Sequence, residues 1–175
     1  MDRRHALLAM PALLALPSAA TALPAELAEL ADWRLQGQGR LRFFGLLVYE
    51  IRLWAAARPG PQWWTAPLAL ELAYARSLQG REIAARSLLE MRRQQEIDEP
   101  TARRWLAEME AAFPDVQAGD RLSGRLEPER GTRFFVNGAP GRQLADPLFS
   151  RLFFGIWLSP QTSEPALRKQ LLGLS

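Results

Sequence analysis

No cysteine occurs among the 175 residues, and the one histidine is His5. A disulfide scaffold, a zinc knuckle, a cysteine nucleophile and a thiol redox centre are thereby excluded. Lysine is almost missing as well: Lys169 stands alone, and every other one of the 22 basic side chains is arginine. Arginine stays charged at any ordinary pH and offers a planar fork of donors, so it suits paired recognition of carboxylate or phosphate rather than proton transfer. The charge excess is small, a formal +3. Arg92-Arg93 and Arg103-Arg104 are interleaved with Glu90, Glu96, Asp98, Glu99, Glu108 and Glu110, which reads as solvated helix faces and not as a nucleic-acid footprint. Asp115 and Asp120, around Gly119, lack the dense alternation of a calcium loop and read as a turn after Pro114. No metal site and no cofactor is expected.

A membrane-spanning run is also lacking. The apolar stretch Ala6 to Leu16 carries Pro11 and is well short of the roughly 20 residues needed to cross a bilayer. It follows Arg3-Arg4-His5 and precedes small residues up to Ala22, the layout of a cleaved secretory signal. The expectation is a signal peptide over residues 1–22, a mature domain over 23–175 and an exported, periplasmic protein without a stable membrane anchor. The arginine pair also permits twin-arginine export, so the route stays open. Cleavage after Ala22 removes His5, and the exported chain then holds neither cysteine nor histidine. Serine–histidine and cysteine–histidine catalysis are excluded in it.

What remains is 48% hydrophobic and 23% charged, the balance of a globular domain. Over residues 40–54 Leu41, Phe43, Leu47, Tyr49, Ile51 and Leu53 alternate onto one face, which predicts a single strand, with Gln36 to Gly39 as the hairpin turn before it. A second strand is read over residues 68–76. The period then changes to helical from Gly80 to about residue 94, and a further helix follows Asp98-Glu99-Pro100-Thr101. Strands return at 121–126, 132–136 and 142–144, and helices follow Asp146-Pro147 and Ser163-Glu164-Pro165. This order predicts an α+β domain, an antiparallel sheet backed by a layer of helices.

Arg40 and Arg42 share the second face of the first strand with Phe44, Leu46 and Val48. If helices cover that face, a guanidinium stands at the mouth of an apolar cleft and can hold the carboxylate of an amphipathic ligand. The plainer alternative is a solvated strand end.

Four segments, GRLRFFGLLVYEIRLW at 39–54, LELAYARSLQGREIAARSLLEMRR at 70–93, FPDVQAGDRLSG at 113–124 and FFGIWLSPQTSEPALRKQLLG at 153–173, together resemble the chalcone isomerase-like family, specifically its bacterial exported branch. The resemblance covers nearly the whole mature chain and implies an open-faced sandwich with a ligand cleft between sheet and helices. The plant isomerases use an arginine, a threonine, a tyrosine and an asparagine there. Laid on this chain, their motif puts Ile83 at the tyrosine and Glu90 at the asparagine, with the threonine near Gly155 and the arginine at Arg40 or Arg42. Isoleucine has no donor for a developing enolate. The resemblance thus implies a non-catalytic member that binds a small apolar or amphipathic ligand such as a fatty acid, with Arg40, Arg42, Phe44, Leu46, Val48, Ile83 and Glu90 as binding residues. Two alternatives stay open: an enzyme on an enone-like or lipid substrate with Glu90 as general base, and an envelope interaction module whose cleft is filled by Phe153 and Trp157. Ile83 and Glu90, seven residues apart, fall on one helix face, so a shielded Glu90 is expected to pair with Arg40, Arg42 or Arg86.

Overall fold

The computed structural model describes residues 22–30 and 32–174; the signal-like segment therefore lies outside the described residues except for Ala22. Six strands make one antiparallel sheet in which every strand pairs with its chain neighbours. They are β1 (Arg34–Phe43), β2 (Leu46–Ala55), β3 (Leu68–Tyr74), β4 (Arg121–Glu127), β5 (Gly131–Val136) and β6 (Ala139–Leu144). Helices α1 (Gly80–Arg92) and α2 (Glu99–Ala112) fall between β3 and β4, while α3 (Pro147–Leu158) and α4 (Pro165–Leu172) follow β6. The α+β architecture expected from the sequence is the one found.

The expectation of one strand over 40–54 is wrong. The chain reverses at Phe44-Gly45, whose φ angles of 47° and 78° place both in the left-handed region of a two-residue hairpin turn. Such a turn pairs Phe43 with Leu46 and Arg42 with Leu47, but the register then slips and Leu41 faces Tyr49. Val48 is the extra residue, a β-bulge on β2. The bulge restores the phase that the turn had shifted, so the apolar alternation runs unbroken through a chain reversal. Gln36 to Gly39 is correspondingly no turn but the middle of β1. Its glycines serve close packing: a Cβ on Gly37 would overlap the Leu171 carbonyl of α4, and one on Gly39 would overlap the Leu167 side chain.

The helices cover the face that carries Leu41, Tyr49, Ile51, Leu53, Leu70, Leu72 and Leu126. Most of α3 is buried: Phe153 packs against Phe113 and Phe134 and against Phe149, Phe154 and Trp157 of its own helix, and Phe149 also meets Phe134 edge to face. This helix is core, as its wide apolar face predicts. Carboxylates fix the helix starts. The Asp98 side chain accepts from Thr101 N–H at 2.9 Å, Asp146 from Phe149 N–H at 3.0 Å, and Asp115 from the Gly80 N–H that opens α1 at 2.8 Å.

The opposite face of the sheet is covered in part by residues 23–30 and Trp33. Leu27 packs on Trp54 and Ala69, with Leu23, Leu30, Trp33 and Leu35 around them. The Glu26 carboxylate accepts from Ser123 Oγ at 2.8 Å and pairs with Arg121 at 3.4 Å. Beside it the buried Glu71 accepts from Trp54 Nε1 and Arg121 Nη1, both at 3.1 Å, with Arg52 at 3.6 Å. Arginine and glutamate on a sheet face look solvent-directed in sequence; here the carboxylates are buried under half-buried arginines in a polar layer.

Candidate ligand cavity

Between the sheet and the helices lies a cavity of about 380 Å³, within the range of small-molecule sites. Its walls come from every layer: Leu41 and Val48 on the first hairpin, Leu70, Leu72 and Tyr74 on β3, Leu122 and Gly124 on β4, Phe134 on β5, Ile83 and Glu90 on α1, and Phe153, Ile156 and Trp157 on α3. Phe153 and Trp157 line the space and do not fill it. The exposed members of the lining, Arg42, Phe43, Arg76, Glu82 and Arg86, mark the rim.

The bulge decides the fate of the two sequence candidates on β1. Arg40 lies on the far face, where its Nε donates to Glu50 at 2.7 Å. Arg42, beyond the register slip, lies at the cavity rim, its Nη1 donating to the Gly45 carbonyl at 3.0 Å. Phe44 and Leu46, expected inside the cleft, stand outside at the hairpin tip because the chain turns there; Phe44 is 90% exposed. Val48 reaches the cavity as the bulged residue. Ile83 and Glu90 share the wall formed by α1. Gly155, placed near the family's threonine, faces Gln94 instead.

Glu90 is buried, and its Oε1 accepts an ion pair from Arg86 at 2.7 Å, one turn earlier on α1, with Arg93 Nε 3.5 Å from Oε2. The expected pairing is therefore with Arg86, not with an arginine of the sheet. Oε2 is buried and has no hydrogen-bond partner among the described residues.

Sequence reasoning missed the two phenols. The chain contains two tyrosines, and both Tyr49 and Tyr74 face the cavity, their rings edge to face at 5.8 Å. The Tyr49 hydroxyl accepts from Trp157 Nε1 at 2.9 Å. Burial pushes both phenols far above the ordinary tyrosine value, so each remains a neutral hydrogen-bond donor throughout the physiological range. The signal was present in both strands: Tyr49 interrupts an inward row of apolar residues on β2, and Tyr74 ends the leucine row of β3.

The class these features define is an open-faced α+β sandwich with an apolar cavity walled by one sheet face and two helices, polar at its rim. The chain belongs to the chalcone isomerase-like family, whose family model matches residues 25–173. It is 32% identical over 146 residues to an uncharacterized protein of Haemophilus influenzae (strain ATCC 51907 / DSM 11121 / KW20 / Rd), an alignment that spans 83% of this chain and 71% of that one. Among solved structures, a fatty-acid binding protein of Arabidopsis thaliana matches with a TM-score of 0.62 at 12% identity, covering 81% of this chain and 87% of that chain. That match is one of fold.

Proposed function

We propose that this protein is a non-catalytic binder of an amphipathic acyl ligand with an anionic head, a fatty acid being the simplest example. The carrying observation is the cavity itself: an apolar chamber of about 380 Å³ with arginines, Arg42 and Arg76, at its rim and two neutral phenols in its wall. The acyl chain lies among Leu70, Leu72, Phe134 and Phe153, and the head meets the guanidinium of Arg42 through charge-assisted hydrogen bonds. The Arabidopsis neighbour, a fatty-acid binding protein, supports the reading through shared fold. The enzyme reading has less support, because Arg86 already engages Glu90, the general base that reading requires. We further propose that the protein works in the periplasm, on the strength of the Arg3-Arg4-His5 start and the apolar run to Leu16; the N-terminal residue of protein recovered from osmotic-shock fluid tests this.

Native mass spectrometry of protein purified from its host, with solvent extraction of the same sample, tests the ligand. An acyl compound is expected. Arg42→Ala should weaken fatty-acid affinity about 5- to 30-fold, the loss of one partly exposed charge-assisted contact. Repeated recovery of empty protein that also takes up no added fatty acid refutes the proposal.

A further inference from the structure

Two hairpins of the sheet use the same left-handed turn and build it from different residues. The β5–β6 turn is Asn137-Gly138, with φ of 50° and 83°, the residue pair this geometry favours. The β1–β2 turn is Phe44-Gly45, with φ of 47° and 78°. Phenylalanine has no short polar side chain to offset the crowding of its Cβ against the backbone, so Phe44 weakens the fold where Asn137 does not. It is also 90% exposed, between Phe43 at 61% and Leu46 at 58%. Six large hydrophobic side chains stand exposed among the described residues, and three of them fall within these four positions. Folding explains neither the conformation nor the exposure of Phe44.

The tip stands at the cavity rim, since Arg42 and Phe43 belong to both. Arg42 spends one donor on the Gly45 carbonyl and, like the exposed rim residue Arg76, has no carboxylate partner among the described residues. Glu82 and Glu164 also line the cavity, and the turn itself carries no acid. An apolar wedge flanked by arginine guanidiniums matches a bilayer with anionic headgroups: rings enter the acyl boundary, guanidiniums stay with the phosphates. A protein partner fits less well, because a stable interface occupies about 800 Å² and 20–30 residues on each side, far more than this tip presents.

We infer that the β1–β2 hairpin tip docks the cavity mouth reversibly onto an anionic lipid surface. Docking stands on the hairpin alone; that the cavity then exchanges its occupant with the bilayer rests on the ligand reading above. Vesicle co-sedimentation of the purified protein tests docking, with phosphatidylcholine vesicles beside mixed phosphatidylcholine–phosphatidylglycerol vesicles. Binding to the mixed vesicles is expected, weakening as salt rises. Phe44→Asn should weaken it at least about tenfold while holding or raising the melting temperature, which separates lost docking from lost folding. Arg42→Glu should remove the preference for the anionic vesicles. Failure of the unaltered chain to bind vesicles, or undiminished binding by Phe44→Asn, overturns the inference. So does a concentration-dependent dimer that Phe44→Asn abolishes, which assigns the tip to a second copy. Vesicle binding by protein that never yields an acyl ligand upholds docking and defeats the ligand reading; the reverse pattern does the opposite.

Discussion

Replacing Glu71 by alanine should destabilise the protein by about 2–5 kcal/mol, and the figure can be assembled from its three partners. Trp54 is 2% exposed, so its indole N–H, left without the carboxylate oxygen 3.1 Å away, cannot turn to water; a buried donor stranded in this way costs about 1–3 kcal/mol. Arg121 and Arg52 are 31% and 27% exposed on their side chains. Water takes over part of their hydration, and each adds about 0.5–1 kcal/mol rather than the full cost of a sealed ion pair. For a domain of this size about 2–5 kcal/mol corresponds to a fall in melting temperature of about 4–20 °C. Glu71→Gln retains one acceptor and should cost about half as much. Urea unfolding followed by tryptophan fluorescence measures both. Arg121 also reaches Glu26, so the double replacement of Glu26 and Glu71 should be non-additive. A Glu71→Ala protein within about 1 kcal/mol of the unaltered one would refute the reasoning, because it would mean that Trp54 and the arginines find other partners at no cost.

Gly37→Ala places a methyl group against the Leu171 carbonyl and should cost at least about 1–3 kcal/mol through displacement of α4, read as a lower urea midpoint at unchanged slope. Glu90→Gln should cost about 1 kcal/mol, since its partner Arg86 is 64% exposed on its side chain and water replaces much of the pair; thermal unfolding checks it. The Asp98 and Asp120 carboxyls lie below the ordinary aspartate value because the backbone N–H groups of Thr101 and Gln117 bond their charged forms. A folded pKa below the unfolded one gives stability that is complete above about pH 4 and disappears as pH falls through the folded value. Asp120→Asn should therefore flatten the loss of melting temperature between about pH 4 and pH 2.

The layer order and the four α-helices among the described residues are legible because each start carries its own chemistry: Asp98 before Pro100, Asp146 before Pro147, Glu164 before Pro165, and a period that changes at Gly80. The first hairpin is not, because its turn lacks asparagine or aspartate and a bulge at Val48 repairs the alternation that would otherwise betray it. That one misreading spread to the site. A continuous strand over 40–54 puts Arg40, Arg42, Phe44 and Leu46 on one face; in the folded chain they occupy the back of the sheet, the cavity rim and the hairpin tip. Ile83 and Glu90 came together because helical geometry fixes a seven-residue spacing without help from tertiary structure. Tyr49 and Tyr74 were visible only as core positions, since their hydroxyls matter once the space in front of them is known to be hollow.

The strand order has a kinetic consequence. Because each strand pairs with its sequence neighbour, the sheet is two local meanders, β1–β3 and β4–β6, and only the β3–β4 ladder must wait for a long loop, the one containing α1 and α2, to close. Short-range pairings form ahead of long-range ones because loop closure carries an entropy cost, so this seam sets the pace of folding. Leu72 and Leu122 pair across it on the cavity side, while Glu71 and Ser123 pair across it on the back, where Arg121 and Glu26 complete the polar layer. A molecule seated in the cavity touches both meanders at once. It would slow their separation more than their assembly, so that occupancy registers chiefly as a smaller unfolding rate.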